Sequence, residues 1–225
     1  ELIRLTLFYM SLCLIFTLPF EPKHEYCIMK RLISTILFFA SCVSSRHPKL
    51  SRTIEGVGLK SAEQLTAFFM SQRPDSDRET VLRLASYYIE ECSIERINSD
   101  VAFIQMCHET GYLKFGNLVT PEMHNYCGLG SINEQNRGLV FETEQLGVRA
   151  HVQHLHAYGT TEDKVLVNEC IDPRYKYVRP RGKSVDIRGL SGTWASDPDY
   201  SIKLEEKIGN EYEAIIDGFS DDNRF

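Results

Sequence analysis

Gln105-Met106-Cys107-His108-Glu109-Thr110-Gly111-Tyr112 is the stretch on which the fold turns. It closes an amphipathic helix. Asn98-Ser99-Asp100 supplies the N-cap, and Val101, Ile104 and Cys107 or His108 fall on its inner stripe. Gly111 stands where a chain commonly leaves a helix in the left-handed conformation. Glu109 therefore sits in the last turn and looks past the helix end, with its stem among Met106, Tyr112, Leu113 and Phe115. Apolar neighbours disfavour the charged carboxylate and raise its pKa, as a general acid working near neutral pH requires. The competing reading is a solvated glutamate whose charge opposes the helix dipole. The stretch alone does not choose between them.

Around this helix the pattern is mainly helical. Ser61-Ala62-Glu63-Gln64 is a capping box opening a helix through Phe69. Ser76-Asp77-Arg78-Glu79 reads as a second box, followed by the stripe Val81, Leu84, Ala85, Tyr88 and Cys92. Glycines and a proline punctuate residues 114–141, which predicts loops and a small hairpin. Helical spacing returns over residues 142–158, with Leu146, Ala150, His154 and Ala157 on one side, and a short helix is expected before Asp172. Ser196-Asp197-Pro198-Asp199 predicts the N-cap of a last helix, with Ile202, Glu205, Ile208 and Tyr212 on its stripe. The sum is a mainly α domain: a helical lobe and a small irregular or β lobe.

Length and composition fit one domain with a leader. The chain has 225 residues, 43% of them apolar and 25% charged, enough for a core of ordinary size. A net charge of -6 argues against nucleic acid as a partner. The seven cysteines include no CxxC pair, so no zinc knuckle or thioredoxin-type site is supported, and mostly free, buried thiols are expected. Residues 1–50 read as a leader. Lys30 and Arg31 precede an apolar run ending in Ala40-Ser41-Cys42, the pattern of a secretory signal peptide over residues 29–42. Residues 1–28 then read as upstream of the native start. The alternatives are a membrane anchor in the apolar stretch 2–20 and a lipidated Cys42. All of them address the chain out of the cytoplasm. Residues 51–60 read as a linker, 61–217 as the domain and 218–225 as a polar tail.

Four blocks carry a resemblance. Ala102 to Gly111 resembles the catalytic helix of the bacterial peptidoglycan glucosaminidases, glycoside hydrolase family 73. Asn125-Tyr126-Cys127-Gly128-Leu129-Gly130 is similar to that family's Asn-aromatic-x-Gly-hydrophobic-Gly signature, and Gly147 to Leu155 to its next helix. Thr193-Trp194-Ala195-Ser196-Asp197-Pro198-Asp199-Tyr200 resembles its closing block, with Trp194 where tyrosine often stands. The loop after Gly130 is short for the family. The resemblance implies a lysozyme-like fold. It also implies cleavage of the β-1,4 bond on the reducing side of N-acetylglucosamine in peptidoglycan, with Glu109 as acid and no cofactor. A monomer acting on glycan strands is expected.

For the second carboxylate the resemblance points near Glu134; Glu122, Glu142 and Glu144 are also available. An inverting enzyme needs such a base roughly 6.5–9.5 Å from the acid, and otherwise the substrate's acetamido group can act as nucleophile. Trp194 and Tyr200 are candidates for contacting sugar rings, with core packing the alternative for Trp194. Asn125 and Tyr126 line the cleft by family position. The basic run from Arg174 to Arg188 suits the carboxylates of muramic acid and stem peptides, or is a solvated loop. A zincin motif fails because Tyr112 stands where the second histidine is needed, and His151, His154 and His156 lack a clear companion ligand. Cys107 and His108 point about 100° apart on a helix and cannot pair as nucleophile and base. A muramidase, a lytic transglycosylase and a non-catalytic glycan-binding module remain as rivals.

Overall fold

The computed structural model describes residues 50–116 and 118–212, so the leader and its Cys42 lie outside the described residues. Among the described residues five α-helices follow in order: α1 Ala62–Gln72, α2 Arg78–Glu95, α3 Ser99–Glu109, α4 Glu144–Gly159 and α5 Tyr200–Glu206. The helix α3 touches each of the other four. It is buried from Ser99 through Cys107 on every side rather than along one stripe. A helix with so few charges is suited to that central place.

Caps set the helix starts. Ser61 and Gln64 form the expected box. Asn98 caps α3 by accepting from the backbone N–H groups of Asp100 and Val101, while its amide donates to Ser51 and Thr53 oxygens. The cap of α2 is Asp77, one residue later than read from the sequence. Its carboxylate accepts from both the N–H and the hydroxyl of Thr80, which Ser76 could not match with one neutral oxygen. The predicted stripe of α2 is buried throughout.

Residues 51–60 are part of the domain, not a linker. Ile54 is fully buried, and its backbone bonds Val185 and Asn98. Gly159 makes room for it, since a Cβ there would lie 2.4 Å from the Ile54 side chain. The short helix expected before Asp172 is absent. Glu95 accepts from the N–H groups of Val167 and Asn168, and Gln153 from those of Ile171 and Asp172. These buried acceptors replace the helical partners.

The last helix also starts later than expected. Asp197-Pro198-Asp199 forms a turn closed by Tyr200 N–H on Asp197 O, and Asp199 is the cap. That register buries Tyr200, Leu204 and Ile208 and leaves Ile202 exposed. The lobe between α3 and α4 is irregular. Among the described residues its β pairing is one isolated bridge, Asn133 to Asn136. Cys127, Leu129, Phe141 and Ala150 form a small core beneath it.

Candidate active site

The end of α3 aims the carboxylate. Gly111 takes φ 57°, Tyr112 N–H bonds Cys107 O at 2.8 Å, and Gly111 N–H bonds His108 O at 3.3 Å. This is a Schellman ending. The left-handed path continues through Tyr112 and Leu113, and Phe115 also has a positive φ. Such backbone costs roughly 1–2 kcal/mol per non-glycine residue. Thr110 holds the turn, accepting from Phe115 N–H through its carbonyl and from Leu113 N–H through its hydroxyl. Tyr112 is wedged against Phe68 and Phe69. The neighbours expected around Glu109 are thereby divided: Phe115 stays beside it, whereas Tyr112 and Leu113 turn away.

Glu109 lines a cleft of about 360 Å³ with Phe115, Asn125, Cys127, Trp194 and Tyr200 among its walls. Among the described residues lining that cleft, it is the only charged one. Its Oε1 accepts from Trp194 Nε1 at 2.9 Å and from the hydroxyl of Tyr200. No described residue bonds Oε2. Burial raises the carboxyl pKa above its ordinary value, and the two donors only partly offset that effect.

The remaining candidates divide. Trp194 is packed by His154, Tyr158 and His151, with ring centroids 5.1, 5.0 and 5.8 Å away. Its ring is thus both packed and part of the cleft wall. Tyr200 is buried and spends its hydroxyl on Glu109 and Gln105. Asn125 lines the cleft, but its amide is consumed in tying Leu129 and Leu139 together, so it shapes the wall. Tyr126 does not line this cleft. It packs beside Phe115 and borders a separate groove with Arg73 and Asp75. Glu134 is exposed at the tip of the hairpin, outside the cleft's lining residues.

The histidines do not converge. His151 bonds Tyr88 and Gln105, His154 bonds Asp172, and His156 bonds Tyr175. Cys107 is buried and its thiol pKa is pushed up, which disfavours a thiolate. Cys92 and Cys127 are likewise free and buried, whereas Cys170 is exposed. Sequence reasoning missed Gln105 and Cys127 at the site. Gln105 is polar and one turn before Glu109 in the sequence, but its full burial and its bond to Tyr200 are seen only in the structure.

A family model described as glucosaminidase, mannosyl-glycoprotein endo-beta-N-acetylglucosaminidase, matches residues 85–213. The chain belongs to the glucosaminidase family. A protein of Borreliella burgdorferi (strain B31), described as uncharacterized, is 36% identical over 149 residues, covering 66% of this chain and 72% of the relative. The protein is accordingly a glycoside hydrolase. The matched region contains Glu109, Trp194 and Tyr200, so the cleft described above belongs to the glucosaminidase domain.

Proposed function

We propose that the protein hydrolyses the β-1,4 bond between N-acetylglucosamine and N-acetylmuramic acid in peptidoglycan, leaving N-acetylglucosamine at the new reducing end. Glu109 is the general acid. One observation carries this reading: a single carboxyl in a cleft whose other described lining residues are uncharged, with both of its hydrogen bonds from described residues on one oxygen.

With Oε1 occupied as an acceptor, the acidic proton resides on Oε2. That proton passes to the glycosidic oxygen as the bond to the anomeric carbon breaks, so the leaving sugar departs as a neutral alcohol. The indole N–H and the tyrosine O–H then hold the new carboxylate. For the opposite face, the substrate's own acetamido oxygen is the reading the cleft favours, because Glu134 stands outside it. Water completes hydrolysis at the anomeric carbon. The substrate lies outside the cytoplasmic membrane, and export through residues 29–42 belongs to the same proposal.

Mass analysis of the ends produced from purified peptidoglycan tests the bond assignment. Reducing N-acetylglucosamine supports it. Reducing or anhydro-muramic ends would move the enzyme to the muramidase or transglycosylase class. Binding without cleavage would leave a glycan-binding module.

A further inference from the structure

Behind Tyr200 runs a buried chain of side chains drawn from four helices. Tyr88 on α2 lies 2.8 Å from His151 Nδ1 on α4. His151 Nε2 lies 3.1 Å from Gln105 Oε1 on α3, and Gln105 Nε2 donates to the Tyr200 hydroxyl on α5 at 2.9 Å. Tyr200 donates to Glu109. Tyr88, Gln105 and His151 are fully buried, and none of the three lines the cleft.

The donors can be assigned from the chain itself. Gln105 gives an N–H to Tyr200, so its carbonyl oxygen faces His151. That oxygen can only accept, so His151 Nε2 carries the proton. Burial pushes the His151 pKa down to about 3, so the ring is neutral and Nδ1 has no proton. Nδ1 must accept, and the Tyr88 hydroxyl donates to it. Every O–H and N–H in the series points toward Glu109.

We propose that Tyr88, His151 and Gln105 are positioning residues that lock one histidine tautomer, and through it the direction of the Tyr200 hydroxyl, so that Glu109 keeps two donors on Oε1. In the opposite tautomer Gln105 would have to turn over. Its carbonyl would then take the Tyr200 proton, leaving Glu109 with the indole alone. The proposal rests on Glu109 being the acid. The titratable groups nearest the carboxyl are Tyr200 on α5 and Cys127 on the irregular lobe, both protonated at neutral pH because burial raises their pKa. His108 precedes Glu109 on α3 with its ring 5.2 Å from that of Tyr200, and Lys203, Lys207 and Asp197 act on His108. His154, bonded to Asp172, lies across the Trp194 ring.

Tyr88→Phe removes the terminal hydroxyl and keeps the ring. A donor to a carboxylate favours its charged form, so losing one raises the acid's pKa. The alkaline edge of the pH–rate profile and the ¹³C titration of the Glu109 carboxyl should both move to higher pH. The plateau rate should fall roughly ten- to a hundredfold, as for one lost hydrogen bond to a charged group. Tyr200→Phe should do the same directly, and the double variant should move no further than Tyr200→Phe alone. An unmoved titration in Tyr88→Phe, or shifts that add, would overturn the proposal. In the unmutated protein, ¹⁵N shifts should show His151 protonated at Nε2, and a proton at Nδ1 would overturn it equally. The NMR readings need no turnover, so failure of this chain and failure of the glycosidase reading are separable.

Discussion

The indole Nε1 of Trp194 donates to Glu109 Oε1 across 2.9 Å, from a position 85 residues away in the chain. Trp194→Phe keeps most of the ring packing against His154 and Tyr158 and removes that donor. A hydrogen bond to a developing carboxylate is worth about 1.5–3 kcal/mol, so kcat should fall roughly ten- to a hundredfold. The alkaline edge of activity should move up, because the lost donor favoured the charged form. Steady-state kinetics across pH checks both. Unchanged kcat would show that the indole only fills space.

Glu134→Gln addresses the opposite face of the sugar. With Glu134 exposed on the hairpin tip, the variant should retain activity within about threefold. A loss of a hundredfold or more in kcat would make Glu134 the base and set aside the acetamido reading.

Gly147→Ala should reverse the usual order of helix propensity. Within a helix, alanine is normally favoured by about 1 kcal/mol over glycine. Here a Cβ would lie 1.8 Å from His124 O, where the irregular lobe crosses α4. The clash should destabilise the fold by about 3 kcal/mol or more, read as a lower urea midpoint. A midpoint equal to that of the parent would mean that the lobe shifts freely over α4.

His151 links folding to acid. Its folded pKa of about 3 lies below the ordinary 6.5, so the unfolded chain binds the extra proton. Its contribution to stability is intact above about pH 6.5 and is lost progressively as pH falls toward about 3. His156, lowered to about 4, acts in the same direction. Stability should drop by on the order of 2 kcal/mol between pH 7 and pH 4.5 from His151 alone. His151→Gln should be less stable at neutrality but show a flatter dependence. Equal slopes for the two proteins in urea titrations would contradict this.

The parts legible in the sequence were those fixed by local chemistry. Ser61 and Asn98 announce helix starts because their side chains serve nearby backbone N–H groups. Gly111 announces the end that aims Glu109. The segment around Ile54 was misread because its few apolar residues, Ile54, Val57 and Leu59, sustain no helical or strand period, while its hydrogen bonds come from residues distant in the chain. Tyr126 was placed in the cleft by family position, yet it borders the separate groove. Gln105 and His151 were invisible as partners: a polar residue on a buried stripe reads alike whether it lines a cleft or joins a chain of hydrogen bonds. Only the crossing of α2, α3, α4 and α5 brings Tyr88, Gln105, His151 and Tyr200 into line.

The central claim is that Glu109 supplies the proton. Glu109→Gln keeps the side chain's shape and its ability to accept from Trp194 and Tyr200 through the amide oxygen, but it has no acidic proton. The measurement is the rate of reducing-end release from purified peptidoglycan by the variant and the parent, with thermal unfolding run alongside. The account predicts a loss of at least about a thousandfold in kcat with an unchanged unfolding midpoint. A folded Glu109→Gln protein that still cleaves within tenfold of the parent would contradict it.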